Sequence, residues 1–158
     1  MKKYLLIAFM LVTTMSLAAQ TFNNPRHRTN NKYVKASKVV RNKDHTVLYI
    51  TVNYPDARNV WIDAYPTLTD EVNGKTYTAK RALNFKFGTR YTCQPNKSYT
   101  YQIEFPPIPR SASLVTFREK GNGGWVLTNI AVPIKEKPKQ QPKTQSTNQG
   151  KTIIINVN

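Results

Sequence analysis

The sequence predicts an all-β protein, an antiparallel β-sandwich of about seven or eight short strands. Three observations support this fold class. Apolar and polar residues alternate within several short runs, as they do in half-buried strands. Clusters of Gly, Pro, Asn and Asp separate these runs at a spacing of roughly 8–12 residues. Finally, no stretch has the periodicity of an amphipathic helix.

Residues 1–19 are typical of a signal peptide. Lys2 and Lys3 precede an apolar run, and small residues follow at 16–19. The run is shorter than the ~20 residues that a membrane span needs. We expect cleavage after Ala18 or Ala19, and therefore an exported protein (periplasmic, outer-surface or secreted) with no membrane span after removal. The alternative, an N-terminal membrane anchor, is disfavoured because no longer apolar run follows.

The first half of the remaining chain divides into a lead-in and two strands. The polar, amide-rich residues 20–32 predict a flexible segment. A β-sandwich domain is expected over residues 33–134. Its first strand, 33–40, has the composition of an edge strand, because Lys35 and Lys38 discourage edge pairing. Residues 46–54 are apolar on both faces and predict a central strand.

Three weaker patterns follow before residue 92. Residues 60–65 alternate, and Trp61 shares a face with Asp63, which favours an outward position for the indole over a core position. Asn73-Gly74 predicts a tight hairpin turn, of the type in which both central residues take positive φ. The basic segment 80–91 is compatible with one more strand.

The closing half of the domain, residues 97–134, has the clearest pattern. It predicts a half-buried strand over 97–105, a proline-rich crossing to another layer over 106–109, a strand over 114–119, a glycine loop over 121–124 and a last strand over 125–134. In the last strand, one face would carry Val126, Ile130 and Val132, and the other Trp125, Leu127 and Ala131. The candidate core residues of this half are Tyr99, Tyr101, Ile103, Phe105, Val115 and Phe117.

This half carries a resemblance to a known group of proteins. The Tyr-x-Tyr-x-Ile-x-Phe strand (99–105), the Phe-Pro-Pro-Ile-Pro crossing (105–109) and the Val-x-Phe-x-Glu strand with the following Gly-Trp (115–125) resemble small exported immunoglobulin-like β-sandwich proteins of unknown function from Gram-negative bacteria. The resemblance covers residues 33–134. It implies an immunoglobulin-like architecture and no catalytic residues.

The C-terminal residues differ in kind from the domain. Residues 135–150 hold no aliphatic or aromatic side chain and are rich in Lys, Gln and Pro, which predicts a disordered basic linker. Residues 151–158 form a strand-like tail, with Ile153, Ile155 and Val157 on one face and Ile154 on the other. Such a tail is a candidate for pairing with a sheet edge.

Charge and chemistry limit the function. The chain has 24 Lys and Arg against 8 Asp and Glu, and 22 against 8 once Lys2 and Lys3 are removed, a net charge of +14. This charge favours polyanions such as lipopolysaccharide or an acidic glycan, or serves solubility alone. Nucleic acid does not suit an exported protein.

The two histidines, His27 and His45, form no zinc-type pair, and no nucleophile or phosphate-binding motif is present. We therefore expect no catalysis, cofactor or metal, although a carboxylate pair such as Asp63 with Glu104 could assemble from distant positions.

Cys93 is the single cysteine, so the exported domain has no internal disulfide and depends on its apolar core. Either the thiol is buried or it joins two chains. Burial is favoured because free Cys is usually buried.

Two functions compete. The first is a secreted or cell-surface interaction module that binds a protein or surface partner, with strand addition through the tail; self-association or pairing of the tail with its own domain is the alternative outcome. The second is a polyanion-binding protein. Here the candidate residues are Lys80, Arg81, Lys86 and Arg90, with aromatic side chains interleaved at Tyr77, Phe85, Phe87 and Tyr91. For this segment we favour, over polyanion binding, a solvated basic face whose aromatic side chains turn into the core.

Overall fold

A computed structural model describes residues 19–133, and these residues form β-strands, turns and loops without a helix. No helix that could cross a membrane occurs within this range. The strands are β1 (Gln20–Asn23), β2 (Arg28–Thr29), β3 (Val34–Arg41), β4 (Thr46–Asn53), β5 (Arg58–Val60), β6 (Thr67–Asp70), β7 (Thr76–Thr78), β8 (Arg81–Ala82), β9 (Tyr91–Cys93), β10 (Ser98–Phe105), β11 (Leu114–Arg118) and β12 (Val126–Ala131).

The strands form two five-stranded sheets and one two-stranded ribbon. The first sheet has the order β1-β3-β4-β10-β8, the second the order β2-β12-β11-β6-β7, and β5 pairs with β9. All pairs are antiparallel. The all-β fold class, consistent with a β-sandwich, is confirmed. The twelve strands within residues 19–133 exceed the predicted number because several are only two or three residues long.

The core draws on both sheets. β4 lies between β3 and β10, so the predicted central strand is confirmed. Its full length pairs with β10, from Asn53 opposite Ser98 to Thr46 opposite Phe105. Five of the six candidate core residues of the closing half are buried, and Tyr99 is half-buried. The largest side chains with almost no exposure are Leu48, Ile50, Ile62, Leu68, Ile103, Phe105, Phe117, Leu127 and Ile130.

The proline-rich crossing carries the chain between the sheets, as predicted, because β10 lies in the first sheet and β11 in the second. Ile108 is buried there, and its backbone N–H donates to Thr46 Oγ1 at 3.2 Å. The buried guanidinium of Arg41 donates to the carbonyls of Pro109 (2.9 Å) and Ala112 (3.0 Å). These bonds fix the crossing to β3 and β4.

Two predictions at the N-terminus were wrong. Residues 20–32 were predicted to hold no element, but β1 and β2 lie there. Residues 33–40 were predicted to form an edge strand, but β1 covers the outer side of β3. The reason is that Phe22 is buried and Gln20 Oε1 accepts two bonds from Arg41. β1 has four residues, of which only Phe22 is apolar, so its sequence shows no alternation of apolar and polar side chains.

The faces predicted for the last strand were also wrong. Leu127 and Ile130 are both fully buried, although they were assigned to opposite faces. The register explains this: Leu127 lies opposite Phe117 and Ile130 opposite Val115, so two residues of β12 face one of β11. Asn129 takes a positive φ of 54° in this bulge. A β-bulge of this kind inserts one residue and reverses the alternation.

The hairpin predicted at Asn73-Gly74 exists, between β6 and β7, but with a longer loop than predicted. Asp70 N–H donates to Lys75 O, and Gly74 N–H donates to Asp70 O. Gly74 has a positive φ of 71°, whereas Asn73 does not. The loop is therefore not the two-residue turn that Asn-Gly favours.

Several predictions fall outside the described residues. They are the signal peptide up to residue 18, the linker 135–150 and the strand-like tail 151–158. Within the described range, the segment 80–91 forms no continuous strand: only β8 and the first residue of β9 belong to it.

Candidate functional site

A cleft of about 290 Å³ opens beside the loop between β11 and β12. One wall comes from residues 58–63, on and after β5, and the other from residues 119–125. Asn31 and Tyr54 close the floor. The cleft therefore joins segments that are far apart in sequence, as loops at one end of a sandwich do.

Two buried aromatic side chains line the cleft. Tyr54 and Trp125 are 2% and 7% exposed. The Tyr54 hydroxyl accepts a hydrogen bond from Asn31 Nδ2 at 3.1 Å. Burial raises the pKa of Tyr54, and the hydrogen bonds from Asn31 and Trp125 partly offset this shift. The guanidinium of Arg58 lies 4.9 Å from the Tyr54 ring centroid. This contact places a positive charge at the edge of the floor.

Glu119 braces the two walls. Its side chain is buried, and its Oε1 accepts from the backbone N–H of Asp63 at 3.2 Å while its Oε2 accepts from that of Trp125. Burial raises the pKa of Glu119, the nearby charge of Asp63 raises it further, and the two backbone hydrogen bonds lower it. Each oxygen of Glu119 thus accepts a main-chain hydrogen bond, one from the wall 58–63 and the other from the wall 119–125.

The glycine loop fits closely over both carboxylates. A Cβ at Gly121 would overlap Asp63 Oδ2. A Cβ at Gly124 would lie 2.7 Å from Glu119 Cβ and 3.2 Å from Glu119 Oε2. Neither glycine takes a positive φ, so a side chain is disfavoured here by close contacts alone, and most strongly at Gly124, where the near atom is Glu119 Cβ.

The rim carries an exposed aromatic ring. Trp61 is 44% exposed, which confirms the outward position that its pairing with Asp63 favoured. The guanidinium of Arg90 lies 5.0 Å from the indole centroid. Trp61 lines the cleft, whereas Arg90 does not. The cation–π contact with Arg90 helps to hold the indole in position.

Polar groups line the cleft together with the indole. The Asp63 carboxylate is half-buried, and the guanidinium of Arg58 and the carboxamides of Asn59 and Asn122 are exposed at the rim. Asn59 Oδ1 accepts from Thr92 Oγ1 at 2.9 Å, which orients its amide. The cleft thus offers an aromatic face together with planar groups that donate and accept hydrogen bonds.

The four candidate polyanion-binding residues are all exposed, but two are already engaged. Arg81 forms an ion pair with Glu104 at 2.8 Å, and Arg90 stacks on Trp61. Lys80 and Lys86 are exposed on the segments around β8. Of the interleaved aromatic side chains, Tyr77 is buried, and Phe85, Phe87 and Tyr91 are half-buried and pack against the core.

Other sequence-based expectations can be placed as well. Of the two carboxylates named as an example of a distant pair, Asp63 lies close to Glu119, and Glu104 forms an ion pair with Arg81. Cys93 is buried, as expected, with its Sγ 3.7 Å from the Tyr101 hydroxyl. Within residues 19–133, no three His, Cys, Asp or Glu side chains come together as metal ligands do.

Sequence reasoning missed the cleft itself. Its walls come from segments about 60 residues apart, and nothing in a single sequence joins Asp63 to Glu119. Two signals pointed to it: the outward face shared by Trp61 and Asp63, and the glycine run directly before Trp125. Comparison with protein-family models, with curated proteins and with solved structures finds no match for this chain.

Proposed function

We propose that this protein is an exported, non-catalytic binding module that holds a saccharide component of a cell surface in the cleft. The observation that carries the proposal is the exposed indole of Trp61, in a cleft that is also lined by a carboxylate, a guanidinium and two exposed carboxamides. We also propose that its sandwich is immunoglobulin-like, as the residues of the closing half suggested.

The chemistry of a sugar matches this arrangement. A pyranose ring has an apolar C–H face, which stacks on an aromatic ring, and hydroxyls that both donate and accept hydrogen bonds. Asp63 supplies acceptors, Arg58 supplies donors, and Asn59 and Asn122 supply both. The cleft volume of about 290 Å³ lies at the lower end of the range for small-ligand sites, which suits one or two sugar rings.

Binding without hydrolysis is supported by the state of Glu119. A glycosidase needs a carboxyl group that presents a proton or a nucleophilic oxygen to the bond it cleaves. Glu119 is 6% exposed, and both of its oxygens accept backbone hydrogen bonds from the cleft walls. Glu119 therefore has a structural role, in which it joins the two walls, and Asp63 is the half-buried carboxylate that lines the cleft.

A glycan array tests the proposal. The wild-type protein without residues 1–19 is expected to bind a defined set of saccharides, and Trp61→Ala is expected to weaken that binding about tenfold, the equivalent of about 1.4 kcal/mol. Leu83→Ala is the matched control, because Leu83 is 42% exposed and does not line the cleft. A wild-type protein that binds no saccharide, or a Trp61→Ala variant that binds as the wild type does, overturns the proposal.

Strand addition through residues 151–158 is a second candidate, and the sheet edges bear on it. Asn84 covers the open side of β10, because its Nδ2 donates to Thr100 O and its Oδ1 accepts from Gln102 N–H. Residues 26–30 likewise cover β12. With these long strands covered, we expect the tail to pair with another chain's sheet or with an outer strand of the described sheets, such as β1 or β7, and not with β10 or β12. Deleting residues 151–158 tests this, because unchanged partner capture and unchanged oligomeric state would contradict it.

A further inference from the structure

A second depression, of about 220 Å³, lies on the outer face of the first sheet. Lys32 and Lys35 line it together with the ring of Tyr33. Thr51, Asn53 and Ser98 form its polar base. The depression is therefore a basic hollow with hydroxyl and amide groups at the bottom.

The base is held in place by hydrogen bonds between neighbouring strands. Thr51 Oγ1 donates to Ser37 Oγ at 2.8 Å and bonds Thr100 Oγ1 at 2.9 Å. Asn53 Nδ2 donates to Ser98 Oγ at 3.1 Å. These bonds cross β3, β4 and β10, so the polar groups keep fixed positions without a ligand.

The positive charge of this hollow has no counter-charge on the sheet. Among the residues of β3, β4 and β10, Glu104 is the only carboxylate, and it pairs with Arg81. Within residues 19–133, no ion pair involves Lys32 or Lys35. Lys32 lies 5.0 Å from the Tyr33 ring centroid, a contact that positions its ammonium without neutralising it.

The hollow and the cleft are neighbours. Asn31 lines the cleft and Lys32 lines the hollow; similarly, Tyr54 lines the cleft and Asn53 the hollow. Tyr33 lines the hollow and Tyr54 lines the cleft, and the centroids of their rings lie 5.3 Å apart. This contact brings the two depressions close together, so one extended ligand can occupy both.

We infer that the ligand of the cleft is an acidic glycan, whose anionic group binds between Lys32 and Lys35 while a neighbouring sugar ring occupies the cleft. This inference rests on the proposed function. The two ammonium groups supply positive charge to a carboxylate, sulfate or phosphate, and the Ser98 hydroxyl and the second N–H of Asn53 Nδ2 supply donors.

The test compares a polyuronate oligosaccharide with the same oligosaccharide after its carboxyl groups have been reduced to alcohols. Replacing both Lys32 and Lys35 with Ala is expected to weaken binding of the acidic form about fivefold to tenfold at low salt, the effect of losing two exposed charge contacts. Binding of the reduced form is expected to stay unchanged. A sulfated glycan of matched length, measured in parallel, distinguishes carboxylate from sulfate as the preferred anion.

The matched control replaces Lys43 and Lys75, which removes the same charge from the β3–β4 turn and the β6–β7 hairpin. Equal losses in both double variants would overturn the inference, because net charge alone would then explain the affinity. An equal loss for the acidic and reduced forms would also overturn it. Trp61→Ala separates the two proposals, because it is expected to weaken the binding of both the acidic and the reduced oligosaccharide. If it weakens the binding of neither, while the lysine double variant no longer binds the acidic form, the cleft proposal fails and the basic site remains.

Discussion

Replacing Gly124 with Ala is expected to destabilise the protein and to displace the loop that closes the cleft. The new Cβ would lie 2.7 Å from Glu119 Cβ, about 1 Å closer than the ~3.5–4.0 Å of an ordinary carbon contact. Glu119 cannot move away freely, since both of its oxygens are bonded to backbone N–H groups. The loop must therefore shift, and the hydrogen bond from Trp125 N–H to Glu119 is strained.

Overpacking of this kind costs about 1–3 kcal/mol. For a domain of this size, that corresponds to a fall in Tm of about 4–12 °C. Thermal unfolding followed by circular dichroism measures it directly. Saccharide binding by the same variant is expected to fall, because the loop carries the Asn122 carboxamide at the rim.

Gly121→Ala is the comparison that makes the reasoning refutable. Its Cβ would overlap only the far end of the Asp63 side chain, which can rotate away. We therefore expect a smaller loss of stability than for Gly124→Ala, together with weaker saccharide binding because the Asp63 carboxylate is displaced. A Gly124→Ala variant as stable as the wild type, or a Gly121→Ala variant that is the less stable of the two, would refute the account of the loop.

Three further predictions concern pH, the bulge and the thiol. Because burial raises the pKa of Glu119 in the folded state, the folded chain binds this proton more tightly than the unfolded chain. The resulting contribution to stability is fully present below the ordinary carboxyl pKa and is lost as the pH rises through the raised pKa. Urea unfolding measured over this pH range should show the decline in stability, and the Glu119→Gln variant should show a smaller dependence of stability on pH. Asn129→Val should lower the free energy of unfolding by about 1–2 kcal/mol, because a β-branched residue would have to take the positive φ of 54°. Asn129→Gly should be tolerated, and equal stability of the two variants in thermal unfolding would contradict the bulge. Cys93 should resist a thiol reagent in the native protein and react only after unfolding, since it is 1% exposed, and rapid native labelling would contradict its burial.

The sequence predicted those parts of the fold in which one local signal decides the outcome. Alternation located β10 and β11, apolar composition on both faces located β4, and three prolines located the crossing. The failures have a physical cause in each case. The bulge at Asn129 reverses the alternation that would have assigned Leu127 and Ile130, and a bulge depends on the pairing partner. β1 is fixed by distant contacts to Arg41, which no local pattern displays.

The candidate site was predictable only in fragments. An outward position of Trp61 was favoured because Trp61 shares a face with Asp63, and the glycine loop was visible as a composition signal. The role of Glu119 was not predictable, because it depends on backbone donors at Asp63 and Trp125, which only the fold brings together. The basic hollow was likewise hidden, since its lysines lie on β3 and the preceding turn while its base comes from β4 and β10.

The most direct test of the central claim uses the two tryptophans of the chain. The indole N–H signals of Trp61 and Trp125 can be assigned by comparing nitrogen–proton NMR spectra of the wild type and Trp61→Ala. On titration with the saccharide that binds best on the array, we predict a saturable shift of the Trp61 signal, with binding retained in Leu83→Ala and lost in Trp61→Ala. Saturable binding of that saccharide without any change in the Trp61 signal would contradict the assignment of the cleft as its site.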